Sequence, residues 1–245
     1  MSALSVFAPR RFGRMLLSDA MNVGRDPMLL FAIALSVLTS VAFHLARDPM
    51  DQAALSAFGV VAFSRYVAPM ALLVPAFLIG WVTGFLLLED RDDGPLLALD
   101  VTPVGKGGFF AYRATVTALV TAAATLLGLR LVVPDTGVGE ALLILLLVPA
   151  EAVIAAVILP AVARNKVEGL ALTKLTNLAS VMPLIAIFPS PWRFLGGLVP
   201  SYWVGELLAL SGEPPLPFAV VATAAVAAHL VWGVALFRLF VRRAG

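Results

Sequence analysis

The sequence predicts an all-α membrane protein with six transmembrane helices, an N-terminal amphipathic interface helix, and outer re-entrant helices before the last span. Three observations predict it. The chain of 245 residues is 61% hydrophobic and only 13% charged, against roughly 25% charged residues in a soluble domain. Its mean hydropathy is +0.99. Apolar residues fall into six stretches near the ~20 residues that a spanning helix needs: Pro27–Ala46, Tyr66–Leu88, Ala114–Val133, Ala141–Ala163, Leu170–Pro189 and Leu216–Phe237. A β-barrel would need short segments alternating in polarity, and runs such as Ala141–Val148 do not alternate.

The elements follow in order. Residues 1–26 carry Phe12, Met15, Leu16, Ala20 and Val23 at helical spacing, flanked by Arg10, Arg11 and Arg14. This is the pattern of a helix lying in the cytoplasmic interface with its apolar face in the acyl boundary. The first apolar run, behind a long basic segment, reads as a retained span and not as a cleaved signal. Residues 27–245 then form the six-helix transmembrane domain. Lys and Arg gather on the cytoplasmic side of a membrane protein. With both termini inside, only Arg47, Arg65, Arg130 and Arg193 of the 17 basic residues fall outside, leaving 13 within. The expected location is the cell (cytoplasmic) membrane, multi-pass, with cytoplasmic ends. The net charge of +2 gives no reason to expect nucleic acid as a partner.

Between the second and third spans, about 89–113, lies an acidic cytoplasmic loop. Four of its first five residues, Glu89, Asp90, Asp92 and Asp93, are acidic, and Asp93-Gly94-Pro95 is a turn signal. Leu96, Leu97 and Leu99 then form a small apolar ridge that Thr102-Pro103 ends. A short helix with exposed leucines and a charged collar suits docking into another protein's groove; an ordinary solvated hairpin fits the same residues. The second inner loop contains Asn165, Lys166, Glu168 and Lys174. Asn165 with Glu168 reads as a capping box opening the fifth span, and Lys174 can snorkel to the interface. A gate or second docking site is the alternative. The outer stretch of about 190–213 holds Trp192, Tyr202, Trp203, Pro191 and Pro200. It is apolar enough to meet lipid and too interrupted to cross, as re-entrant helices are. Asp51–Ser64 reads as a second outer interfacial piece.

Glu151 falls in the middle of the fourth span, where a charge costs at least ~2.5–3.5 kcal/mol. It must face protein or water, be protonated, or be paired; a transport role and a helix-packing role both fit. His229 of the sixth span reads as a packing or hydrogen-bonding residue, since no His, Cys or Asp stands at metal-ligand spacing. His44 is a weaker candidate of the same kind. Pro69, Pro75, Pro149, Pro160 and Pro183 interrupt predicted spans and can kink them. Cysteine is absent, which excludes disulfides and Cys-bound metals. No G-x-x-x-x-G-K-[ST] phosphate loop occurs, because Gly105-Lys106-Gly107-Gly108 has neither its spacing nor its hydroxyl. No catalytic residue, metal site or cofactor is expected in this chain.

Three motifs together resemble ABC-2-type permeases, the membrane subunits of ATP-driven exporters. They are the basic opening with Arg25-Asp26-Pro27, the acidic loop Glu89 to Pro103, and Asn165-Lys166-Val167-Glu168-Gly169-Leu170-Ala171-Leu172-Thr173-Lys174 followed by Pro200-Ser201-Tyr202-Trp203. The last set is similar to the actinobacterial branch of fluoroquinolone export permeases. Pro95 departs from the loop pattern, which more often has Thr after the glycine. The resemblance implies that Glu89 to Pro103 holds a coupling helix and that the chain acts as a transport subunit without its own ATPase site. It also implies cytoplasmic ABC ATPase subunits carrying ATP and Mg, and pairing with a second copy or a related permease in the bilayer.

Three functions then compete. One is an exporter permease moving hydrophobic or amphiphilic cargo, drug- or lipid-like, as the Phe- and Leu-rich bundle suggests. Another is an ion-gradient-driven secondary transporter or channel using Glu151. The third is a membrane assembly subunit without a translocation path.

Overall fold

The computed structural model describes residues 27–92, 105–210 and 216–244. The expected interface helix over 1–26 and the heart of the expected coupling loop, Asp93, Gly94, Leu96, Leu97, Leu99 and Pro103, lie outside the described residues. The elements are α1 (Pro27–Phe58), α2 (Ser64–Asp92), α3 (Gly105–Leu131), α4 (Val138–Val162) and α5 (Lys166–Thr176). From α5 the chain runs directly into a 3-10 helix, Asn177–Ile187; a second 3-10 helix, Pro191–Leu198, α6 (Tyr202–Leu207) and α7 (Phe218–Ala244) follow. No strand occurs among the described residues. Six of these stretches are long and apolar enough to cross a bilayer, the fifth being α5 joined to its 3-10 continuation. The protein is an all-α, multi-pass membrane protein.

α2 and α4 form the centre. In their apolar windows 67% and 61% of residues are buried, against 22% in each of the other four, so the outer four turn most of their surface to the surroundings. α2 carries Gly80 and Gly84 one turn apart, the small-xxx-small spacing that lets membrane helices approach closely. A Cβ at position 80 would stand 2.5 Å from the Ala152 carbonyl oxygen and 2.8 Å from the Ala155 Cβ. At position 84 it would stand 2.8 Å from the Ala156 carbonyl oxygen. Backbone therefore meets backbone along this seam.

Two boundaries differ from the sequence expectation. α1 does not stop near Ala46. It continues through Pro49 to Phe58, so Asp51–Phe58 belongs to the first helix and is no separate interfacial piece. At 32 residues it is ~48 Å long and exceeds the ~30 Å hydrocarbon core. Asp51 explains why the extension is kept: its carboxylate accepts from the backbone N–H of Ser64 at 2.6 Å and from the Ser64 hydroxyl at 2.8 Å, capping α2. Likewise, Glu89–Asp92 is the last turn of α2 and residues 105–113 are the first turns of α3, so both ends of the expected loop about 89–113 are helical.

Pro183 changes the geometry of its span; α1, α2 and α4 run on through their prolines. Proline removes an N–H and crowds the carbonyl four residues back, here that of Ala179. That carbonyl instead accepts the Ser201 hydroxyl at 2.6 Å. Eleven α residues and eleven 3-10 residues rise ~38 Å together, enough to cross. Gly205 of α6 lies where a side chain would strike the Pro183 carbonyl, so α6 packs hard against the 3-10 helix. All of Tyr202–Leu207 is buried.

Candidate functional site

Antiparallel succession brings the end of α2, the start of α3, the end of α4, the start of α5 and the end of α7 to one end of the bundle. It holds Arg91, Arg113, Arg164, Lys166, Arg238 and Arg242 and is termed the basic end below. The last turn of α2 is its hub. Arg91 donates to the carbonyls of Pro160 at 2.9 Å, Ala163 at 3.0 Å and Arg164 at 3.0 Å. A cation placed on the open carbonyls of a helix C-terminus is favoured by both hydrogen bonding and the helix dipole. Lys166 donates to Glu89 at 2.8 Å, and Arg113 lies 3.7 Å from Asp90. Gly169 of α5 lies against Phe85 and Leu88 of α2. Phe110 of α3 stacks on Phe240 of α7 with ring centres 5.0 Å apart.

The two inner loops singled out in the sequence therefore meet through Glu89 and Lys166. Asn165 caps α5, accepting from the Glu168 N–H at 2.9 Å, while the Glu168 carboxylate reaches back to the Arg164 N–H at 2.6 Å. This is the expected box with its return bond one residue earlier. Lys174 is exposed on the helix surface. Arg91, which the sequence reading counted only as a basic residue, ties the acidic segment to α4.

At mid-depth Glu151 is 2% exposed. Its Oε2 lies 3.3 Å from Nε2 of His229 in α7, which is itself buried. His229 uses Nδ1 on the Ala225 carbonyl at 2.8 Å. That bond needs the proton on Nδ1 and leaves Nε2 facing the acid. Neither Glu151 Oε2 nor His229 Nε2 completes a hydrogen bond; the pair is close but poorly aligned. Glu151 also borders an apolar cavity of about 250 Å³, walled by Phe77, Ile154, Ile158, Met182 and Trp232 and roofed by Val199 and Pro200. Trp232 donates to the Leu198 carbonyl at 2.8 Å, fixing that roof to α7.

The stretch 191–207 hides a second charged group. Arg193 and Glu206 are each 5% exposed and pair with Arg193 Nε 2.9 Å from Glu206 Oε1. Arg193 also donates to Glu206 Oε2 at 3.2 Å and to the Phe188 carbonyl at 3.0 Å, and the Tyr202 hydroxyl donates to Glu206. Burial first, then the bond to and charge of Glu206, raise the Tyr202 phenol above its ordinary pKa. Neither Glu206 nor this pairing was foreseen. The available signal was an Arg and a Glu inside a segment otherwise apolar, where lone charges are costly. Beyond it, a cavity of about 520 Å³ is lined by Arg47, Asp51, Arg65, Asp135 and Glu140. Arg65 closes one side by donating to the Ala209 carbonyl.

His44 accepts no special role: its Nδ1 lies 3.1 Å from the Leu131 carbonyl at the end of α3. Among the described residues no three His, Cys, Asp or Glu side chains gather as a metal site would require.

A six-span helical bundle with buried charges and a mid-depth cavity has the build of a membrane permease. The chain belongs to the family described as "Fluoroquinolones export permease protein Rv2686c-like", whose model matches residues 19–237. Two curated relatives are "Fluoroquinolones export permease protein MT2760" of Mycobacterium tuberculosis (strain CDC 1551 / Oshkosh) and "Fluoroquinolones export permease protein Rv2686c" of Mycobacterium tuberculosis (strain ATCC 25618 / H37Rv). Each is 29% identical over 228 residues, covering 87% of this chain and 88% of the relative. No solved structure matches the chain.

Proposed function

We propose that the chain is the membrane subunit of an exporter, driven by separate cytoplasmic ATPase subunits that carry the ATP and Mg, and that its cargo is a hydrophobic or amphiphilic drug-like molecule. Family membership and the relatives' names support export. The observation that carries the motor-driven reading is the clamp at the basic end. Arg91, Glu89 and Asp90 tie the last turn of α2 to α4, α5 and α3, immediately before residues 93–104. A partner bearing on Leu96, Leu97 and Leu99 would thus move α2 and α4 together as one body, carrying Glu151 and the mid-depth cavity with them. The basic end is the cytoplasmic one on this reading. The permease pairs with a second copy or a related chain.

A second reading has its own support. The buried Glu151–His229 pair is the equipment of a proton-coupled carrier. Mass spectrometry of the chain purified in detergent separates the two: a stoichiometric ATPase supports the motor-driven reading, and its absence favours the carrier. Leu97→Asp should leave the chain inserted and abolish ATP turnover stimulated by the complex. Normal turnover in that variant removes Leu97 from the coupling path.

A further inference from the structure

We propose that the mid-depth cavity beside Glu151 is a binding site for an apolar, ring-bearing molecule with a protonated amine, the amine resting on the Glu151 carboxylate. Naming that molecule as cargo rests on the export reading; the site itself does not.

The cavity wall is almost wholly apolar, and Glu151 is its one ionisable member. A carboxylate held at this depth needs a partner, yet the available one is incomplete. His229 Nε2 is 3.3 Å away without a completed hydrogen bond, and Oε2 is left unsatisfied. Leaving a buried acceptor unmade is costly. An ammonium in the cavity supplies the missing donors. Phe77 and Trp232 line the same cavity, and aromatic rings near a cation can add to its binding. An anion would meet the acid across an apolar wall and gain nothing.

Size and access agree. The volume of about 250 Å³ lies just under the ~300–1,000 Å³ of drug-sized sites, so it takes a ring system and its amine. Leu175 and Leu178 border the cavity and are exposed on the bundle surface, so entry runs from the apolar side of the bundle. Pro200 roofs it, and that roof hangs on two bonds, Ser201 to Ala179 and Trp232 to Leu198. Displacing the outer segment would therefore open the cavity toward the end opposite the clamp.

The test uses the full chain in lipid nanodiscs, with 1-naphthylmethylamine and the neutral 1-naphthalenemethanol as probes and empty nanodiscs as background. The amine should bind saturably and about tenfold or more tighter than the alcohol, the ratio expected of one charge-assisted hydrogen bond. Glu151→Gln should erase the preference while leaving alcohol binding in place, and Ile158→Trp should weaken both by filling the space. If Glu151→Gln fails to fold, Glu151→Asp must weaken the amine several-fold and spare the alcohol. Absence of saturable amine binding, an unchanged preference without the carboxylate, or indifference to Ile158→Trp each overturns the site. An ATPase that still co-purifies with a non-binding chain would sink the site alone. Probe binding by a chain with no ATPase would sink the motor-driven reading alone.

Discussion

Adding one methyl group at Gly80 should cost this protein more than any other single Gly→Ala change on α2. The new Cβ would stand 2.5 Å from the Ala152 carbonyl oxygen, against the ~3.3 Å of a close carbon–oxygen contact. The obstacle is backbone, so no rotamer relieves it, and α4 must retreat by ~0.8 Å. At Gly84 the nearest atom is the Ala156 carbonyl oxygen at 2.8 Å, and the retreat is ~0.5 Å on the same scale. Overpacking of this kind costs ~1–3 kcal/mol. Alanine returns ~0.5–1 kcal/mol by lowering the entropy loss of a helical glycine. The expected net loss is thus ~1–2 kcal/mol for Gly80→Ala and about half that for Gly84→Ala. Gly233 of α7 is the control: nothing lies within 4 Å of a Cβ there, so Gly233→Ala should gain the ~0.5–1 kcal/mol alone. Reversible unfolding in mixed detergent–SDS micelles, followed by tryptophan fluorescence, reads all three on one scale. If Gly80→Ala unfolds at the same SDS fraction as Gly233→Ala, the tight α2–α4 seam is refuted, and with it their movement as one body.

The other predictions concern charges. Arg91→Gln should lose ~1.5–3 kcal/mol of charge-assisted bonding to the end of α4, seen as faster amide exchange over residues 160–165 in hydrogen-exchange mass spectrometry. Glu89→Lys should shift unfolding by no more than ~1 kcal/mol, since both partners of its pair are about half exposed; a loss of several kcal/mol would show the contact is structural. Arg193→Met and Glu206→Leu should each destabilise by ~3–5 kcal/mol, because each strands a buried charge, whereas the double variant should recover most of the loss. Strict additivity of the two singles would contradict a coupled pair. Ala209 sits in the left-handed region at φ 47°, so Ala209→Gly should gain ~1 kcal/mol in the same unfolding assay.

Hydropathy made the six spans legible because lipid imposes length and apolarity on each segment independently. Asn165 and Glu168 were legible as a cap for a similar reason: the interaction is local. Glu151 stood out as a misplaced charge, but its neighbour His229 lies in another helix, and no local pattern announces it. The same holds for Arg91, whose acceptors are three carbonyls of α4 and the turn after it. Gly80 and Gly84 carried a readable spacing, though which helix they admit depends on tertiary packing. The 3-10 stretch was out of reach: Pro183 says that a bond is lost, while Ser201, which takes the freed Ala179 carbonyl, arrives from beyond the next turn. The end of α1 was misjudged because Asp48, Pro49 and Asp51 look like a stop. Asp51 instead serves the start of α2, and a helix with a tertiary use for its last turns keeps them.

Taken together, the described residues form a closely packed α2–α4 pair, clamped at the basic end, with an acid and a cavity at mid-depth and a buried ion pair between Arg193 and Glu206. On the reading proposed above, force enters through residues 93–104.

Transport in sealed vesicles decides this most directly. The chain should be reconstituted alone and, in parallel, with whatever ATPase co-purifies, and accumulation of a hydrophobic amine should be followed with ATP or with an imposed proton gradient. Movement only when the partner and hydrolysable ATP are both present is the expected result. Accumulation driven by the proton gradient in vesicles holding the chain alone, abolished by Glu151→Gln, would contradict it.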